Sequence, residues 1–180
     1  MLVVKKGKNL TPQEIREVNE AKAREWQIPP MSRHQIAVST FFHLRNQAGE
    51  LLSLVQLLNI PPFEFNKEIF RLTGLGGMIS NIKGKGFGRE LIQGVIKYLD
   101  EKDLTTIGFC DDEVAEFYRE SGLTIISGLT KKFVYYDKDG QRKVNDKELN
   151  VMYKEGSDQF ISKILKIDPK EVILSRTPDW

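Results

Sequence analysis

The sequence predicts an α+β domain: a mixed, mostly antiparallel, twisted sheet flanked by helices. Three observations carry this. The order of elements reads strand, helix, two or three antiparallel strands, helix, strand, helix, hairpin, with no segregation of helices from strands. Each helix pattern carries its apolar residues on one side, so each needs a sheet to lie on. The 180 residues are 40% apolar and contain no repeat or low-complexity linker, which suits one domain over 1–180 with a substantial core.

The elements follow in order. Leu2-Val3-Val4 is a short apolar run and reads as an edge strand. Thr11, Pro12 and Glu14 spell a helix start: an N-cap, a proline at the first helical position, and the acid that closes a capping box. That helix runs to about Trp26, where Ile28-Pro29-Pro30 stops it. Residues 36–46 are β-branched and aromatic and predict a strand; Gln47-Ala48-Gly49 turns the chain, and 50–60 is its hairpin partner. Residues 61–67 read as a loop and 68–80 as a third strand, loosened by Gly74, Gly76 and Gly77. Leu91, Ile92, Val95, Ile96 and Leu99 then recur at helical spacing, ending near Asp100. Residues 105–110 form a buried strand, and 111–122 a short helix with acids in its first turn and Gly122 as its C-cap. Strands follow over 123–129 and 131–137, then a tight turn at 137–140 and a strand through 148–154. Phe160, Ile161, Ile164 and Leu165 mark a last helix, before Glu171-Val172-Ile173-Leu174 and the tail to Trp180.

Composition excludes several function classes. Lys plus Arg is 27 and Asp plus Glu is 25, a net +2 that is too balanced for a nucleic-acid binder. One cysteine, Cys110, rules out a disulfide frame or a cysteine zinc cluster, and the isolated His34 and His43 lack metal-ligand spacing, so no metal is expected. No apolar run approaches the ~20 residues of a membrane span. The N-terminus lacks a signal peptide's order of charge, apolar run and cleavage site, so a cytoplasmic protein is expected.

The chemistry concentrates at residues 81–92, NIKGKGFGRELI, where Gly84, Gly86 and Gly88 open a helix. Six consecutive non-proline residues, Lys83 to Gly88, can each offer a backbone N–H, and glycine lets that backbone approach a ligand closely. The helix start adds a positive dipole end, so the stretch suits a phosphate or pyrophosphate; the competing reading is a glycine turn with solvated lysines. A P-loop is excluded, since neither Lys83 nor Lys85 precedes Ser or Thr, and the G-x-G-x-G spacing is not the dinucleotide fingerprint.

Lys83-Gly84-Lys85-Gly86-Phe87-Gly88 resembles the Gln/Arg-x-x-Gly-x-Gly/Ala loop of the GCN5-related N-acetyltransferase (GNAT) superfamily, with Lys83 in place of Gln or Arg. Phe117-Tyr118-Arg119-Glu120-Ser121-Gly122-Leu123 is similar to that family's Phe-Tyr-x-x-x-Gly-Phe helix end, and Asp112, six residues before the tyrosine, falls where many members carry Asn. The resemblance implies a sheet splayed between its fourth and fifth strands and acetyl-CoA as cosubstrate, with residues 83–88 (Lys83, Gly84, Lys85, Gly86, Phe87, Gly88) on its pyrophosphate. By position, Met78 and Ser80 pair with the pantetheine arm, and Asp112 joins the cofactor set. A narrower similarity, to the aminoglycoside 2′-N-acetyltransferases, rests on the 137–140 turn, acids at 145–148 and the terminal Trp180. It departs at Gly74, where those enzymes carry Glu.

The implied reaction moves an acetyl group to a primary amine of a small molecule or peptide, by direct attack in a ternary complex. Tyr118 is expected as the acid that meets the leaving thiolate, and the Met78 N–H as donor to the carbonyl oxygen. Glu68 is the expected base, among Glu64, Asp111, Asp112 and a water chain. Phe41, Phe42, His43, Phe63 and Phe65 are candidates for an acceptor cleft or, more simply, for the core. Asp179 and the terminal carboxylate could attract a cationic amine if the tail folds back. The alternative is a non-catalytic coenzyme A-binding or GNAT-fold sensor or scaffold module. No nucleic-acid or membrane partner is expected, and a homodimer is left open.

Overall fold

The computed structural model describes residues 1–136, 140–144, 149–167 and 171–174. In chain order the elements are β1 (Leu2–Lys6), α1 (Pro12–Trp26), α2 (Arg33–Val38), β2 (Ser39–Arg45), β3 (Leu51–Asn59), β4 (Phe63–Phe65), β5 (Glu68–Phe70) and β6 (Leu72–Ser80). There follow α3 (Phe87–Lys102), β7 (Thr105–Cys110), α4 (Asp112–Glu120), β8 (Thr124–Ser127), β9 (Phe133–Tyr136), β10 (Arg142–Val144), β11 (Asn150–Lys154), α5 (Phe160–Leu165) and β12 (Val172–Leu174).

Seven strands make the main sheet, in the order β1-β2-β3-β6-β7-β11-β8. Every neighbouring pair is antiparallel except β6 with β7, which α3 joins as a parallel crossover. Alternation along β2 splits the core between the two faces of the sheet. Phe41 turns toward α1, with Val18, Ala21, Leu54 and Ile79; Phe42 and Leu44 turn toward α3, with Leu91, Ile92, Val95 and Leu99. Those four α3 side chains are 1% exposed or less, each worth roughly 1.5–3 kcal/mol of burial. A third cluster joins Phe63, Phe65, Phe70 and Phe133 to Phe160, Ile161 and Ile164 of α5.

The α+β class and the splay stand as expected, and of the local boundaries that differ, these lie nearest the site. The strand predicted over 36–46 begins at Ser39, because Ser32 and Gln35 close a second capping box and hold Arg33–Val38 helical. The loop expected over 61–67 contains β4, which pairs with β5 as a small hairpin of its own. The strand expected over 68–80 is therefore two, separated at Arg71. All five candidate cleft residues, Phe41, Phe42, His43, Phe63 and Phe65, are buried in the core.

Candidate functional site

The sheet comes apart in one place. β6 and β7 pair from Leu72–Thr105 to Gly74–Ile107 and no further, so residues 75–80 leave an open edge toward β7. In sheet order these are the fourth and fifth strands. The throat of the gap is tight: a Cβ on Gly108 would lie 2.6 Å from the Leu75 carbonyl oxygen. On its other side β6 is bulged. Leu54 pairs with Ile79 but Gln56 with Gly76, so Gly77 and Met78 together oppose Val55. Gly77 takes a φ of +63° to make the bulge.

Two clefts meet at the gap. The first, about 680 Å³, runs along the loop between β6 and α3 and is lined by Met78, Ser80, Lys83, Gly84, Gly86, Phe87, Gly88 and Arg89, with Asp111, Val114, Phe117 and Tyr118 across from them. Here the glycines divide their work. Gly84 and Gly86 have φ of +72° and +79° with open space where a side chain would project, so they are needed for backbone conformation. Gly88 is needed for packing, since a Cβ there would come within 2.5 Å of Met78 Cε and 3.1 Å of the Phe117 ring. Positive φ thus alternates along the loop, and among the described residues none of the N–H groups from Lys83 to Gly88 has an intramolecular acceptor. The helix it opens has Gly86 as N-cap, with no side-chain cap.

The loop is held from both sides. Asn81 donates to the Leu51 carbonyl at 2.7 Å and accepts from Arg24 Nη2 at 3.1 Å. Lys83 pairs with Glu25 at 2.6 Å, and Arg89 with Glu120. Lys85 does not line the cleft.

The second cleft, about 580 Å³, passes through the gap to the α1 face. Leu75, Gly76, Gly77, Met78, Phe109, Tyr118 and Met152 form its floor, and Lys22, Trp26, Ile28, Pro29, Pro30, Met31 and Gln35 its outer wall. Met78, Trp26 and Tyr118 belong to both clefts. Burial, aided by neighbouring Cys110, pushes the Tyr118 phenol up to about 12, so it stays protonated and available as a donor. Burial, with Asp111 and Asp112 beside it, pushes the Cys110 thiol up to about 11, so it stays protonated near neutral pH.

The structure brings Met78, Ser80, Lys83, Gly84, Gly86, Phe87, Gly88 and Tyr118 together, and does not bring Glu68 or the Asp112 carboxylate into their lining. Glu68 lies elsewhere: its carboxylate pairs with Lys163 at 2.5 Å, beside Phe70, in a separate small pocket on β5 and α5. β5, expected as the start of the third strand, pairs with β4 instead, and that hairpin carries Glu68 away. Asp112 accepts from Asn150 Nδ2 at 2.6 Å and ties α4 to β11, while Asp111, the N-cap without a side-chain cap bond, lines the cleft instead. The residues offered for an acidic tail, 145–148 and 179–180, lie outside the described residues, as does most of the 137–140 turn.

Sequence reasoning missed Lys22, Trp26 and Arg89. Lys22 was detectable: Val18, Ala21 and Lys22 occupy the buried stripe of α1, where the periodicity asks for an apolar residue.

Compared by sequence, the chain matches no family model and no curated protein. By structure it is similar to a GNAT-family N-acetyltransferase from Escherichia coli in complex with CoA, with a TM-score of 0.62 and 10% identity over 97% of this chain and 88% of that one. An acyl-CoA N-acyltransferase from Pseudomonas aeruginosa gives 0.58 and 15% identity, covering 86% of this chain and 99% of that one. A spermidine N-acetyltransferase from Vibrio cholerae in complex with CoA and spermine gives 0.54 and 16%, covering 84% and 92%. The chain has the GNAT fold.

Proposed function

We propose that the protein is an acetyl-CoA-dependent N-acetyltransferase that acts on a primary amine by direct attack in a ternary complex. The observation that carries this is the run of N–H groups from Lys83 to Gly88 that have no acceptor among the described residues, at the start of α3 and at one end of the open β6 edge. That backbone fits a pyrophosphate, and the edge from Leu75 to Ser80 fits the amide-bearing pantetheine arm. GNAT-fold neighbours crystallised with CoA support the same reading.

Acetyl-CoA supplies an activated acetyl carbonyl and a thiolate leaving group. Lys83 to Gly88 bind the pyrophosphate, with Lys83 and Arg89 adding charge. The bulge at Gly77 and Met78 frees backbone from the β3 ladder and gives the Met78 N–H its role as donor to the carbonyl oxygen. Tyr118 stands by the sulfur. A phenol near 12 cannot hand its proton outright to a thiolate whose thiol titrates around 8.5; the transfer is uphill by roughly 5 kcal/mol. Its role is therefore a hydrogen bond to the developing thiolate, with the net proton coming from the amine. Among the described residues no carboxylate lines the second cleft to serve as the base.

The test is calorimetry with acetyl-CoA on wild type and Gly86→Glu. Wild type should bind; the variant should not, because a left-handed φ of +79° strains any side chain there and the added carboxylate puts negative charge on the loop proposed to hold the pyrophosphate. Folded wild type that fails to bind acetyl-CoA refutes the proposal.

A further inference from the structure

The second cleft contains a buried cation with no described counter-ion. Lys22 is only 6% exposed, and its ammonium donates to Gln56 Oε1 at 3.1 Å. Among the described residues it forms no ion pair with a carboxylate. It lies against the bulge of β6: its Nζ would be 3.2 Å from a Cβ built on Gly77. Among the described residues it is also the only charged side chain lining that cleft, whose other walls are Trp26, Ile28, Met31, Phe109, Met152 and similar groups.

A buried charge is normally paired, because taking it from water costs several kcal/mol that only a counter-charge offsets. Burial here pushes the ammonium down to about 8, so at neutral pH it is mostly charged, and among the described residues it has no counter-charge. A cationic polyamine would bring a second positive charge beside it, with no acid in the lining to offset either. A ligand that brings a carboxylate would complete the site.

We infer that the acceptor is an amine with an apolar body and a carboxylate, the chemistry of an apolar amino acid, and that Lys22 binds that carboxylate. The inference rests on the proposed acetyl transfer for the amine's fate, and on the cleft alone for carboxylate binding. Lys22 approaches from the α1 face while Tyr118 stands in both clefts, so one anchors the acceptor and the other meets the cofactor sulfur.

Two probe pairs test it: L-phenylalanine against 2-phenylethylamine, and L-norleucine against pentylamine. Each pair differs only by the carboxylate. Thiol release from acetyl-CoA should favour the carboxylated member by about 100-fold in kcat/KM, and Lys22→Met should bring that ratio to near one. A wild-type ratio near one, or a ratio that Lys22→Met leaves unchanged while both rates fall, overturns the inference; the latter would make Lys22 a general base. Calorimetry of L-phenylalanine on the protein without cofactor separates the two levels of the argument. If acetyl-CoA does not bind, or no amine is acetylated, binding by wild type that is lost in Lys22→Met still supports the carboxylate site. No binding by wild type refutes it. Lys22→Gln serves in the same comparisons should the methionine variant not fold.

Discussion

His43 gives the sharpest test of the core. It sits on β2 opposite Val3 of β1 and Leu54 of β3, fully buried beneath α1. Among the described residues neither ring nitrogen has a hydrogen-bond partner. Burial, then the Arg45 guanidinium, pushes the imidazole from 6.5 down to about 4; Glu14 and Glu17 pull the other way and Lys5 adds to the fall, without changing the outcome. Between those two values the unfolded chain binds a proton that the folded chain refuses, so folding stability is lost as pH falls from 6.5 toward 4 and levels off below. About 2.5 pH units at ~1.36 kcal/mol each is roughly 3 kcal/mol. That is a large share of the ~5–15 kcal/mol a domain possesses. Urea midpoints measured from pH 7 to pH 4 should therefore fall steeply for wild type and much less for His43→Leu. Glu14 does not confuse the window. Burial opposes its charge, but the Lys5 ammonium and the Thr11 backbone and side chain hold it down to about 2, so its contribution is lost between about 4.5 and 2, at the foot of the window and equally in both proteins. Parallel pH profiles for the two proteins would refute the assignment of a buried neutral imidazole.

Two other outcomes follow from the site. Tyr118→Phe should slow single-turnover acetyl transfer by about 10- to 100-fold, the worth of one hydrogen bond to a charged group, with acetyl-CoA affinity little changed; equal rates would remove the phenol from the mechanism. Gly108→Ala should lower the melting temperature and weaken acetyl-CoA binding, since its Cβ would meet the Leu75 carbonyl at 2.6 Å. Overpacking of this kind costs roughly 1–3 kcal/mol, and a variant as stable as wild type would show that the throat can open freely.

How much of this was legible beforehand depended on whether the signal was local. The capping box at Thr11, the α3 stripe and the glycine loop are each written within about one or two turns of chain, and each stands where it was expected. The second capping box, at Ser32 and Gln35, was equally local, but the β-branched run after it drew the strand boundary three residues early. The roles of Glu68 and Asp112 were not legible at all. Both depend on long-range partners, Lys163 and Asn150, that no spacing announces. The same holds for Lys22, whose environment is made by Gln56 and Gly77 from two other strands.

The site can be understood as one accounting of backbone hydrogen bonds. A sheet of this kind ordinarily leaves unpaired N–H and C=O groups only at its two outer edges. Here an inner strand does so. From Leu75 to Ser80, six residues of β6 have β3 on one side and, among the described residues, no strand on the other, a track of roughly 20 Å at ~3.3 Å per residue. The bulge at Gly77 and Met78 interrupts the β3 side as well, and the track ends at the six N–H groups of the 83–88 loop that lack an acceptor among the described residues. Helices α1 and α3 pack on opposite faces of the sheet through separate apolar clusters. An open edge so placed is shielded from pairing with another chain, yet its polar groups still need partners. An extended ligand with amides along its length and a diphosphate at its end matches the track in length, in polarity and in the charge expected at its terminus. The cation at Lys22 lies on the other face of the same gap. The cofactor and the acceptor would then approach from opposite faces and meet where β6 and β7 part.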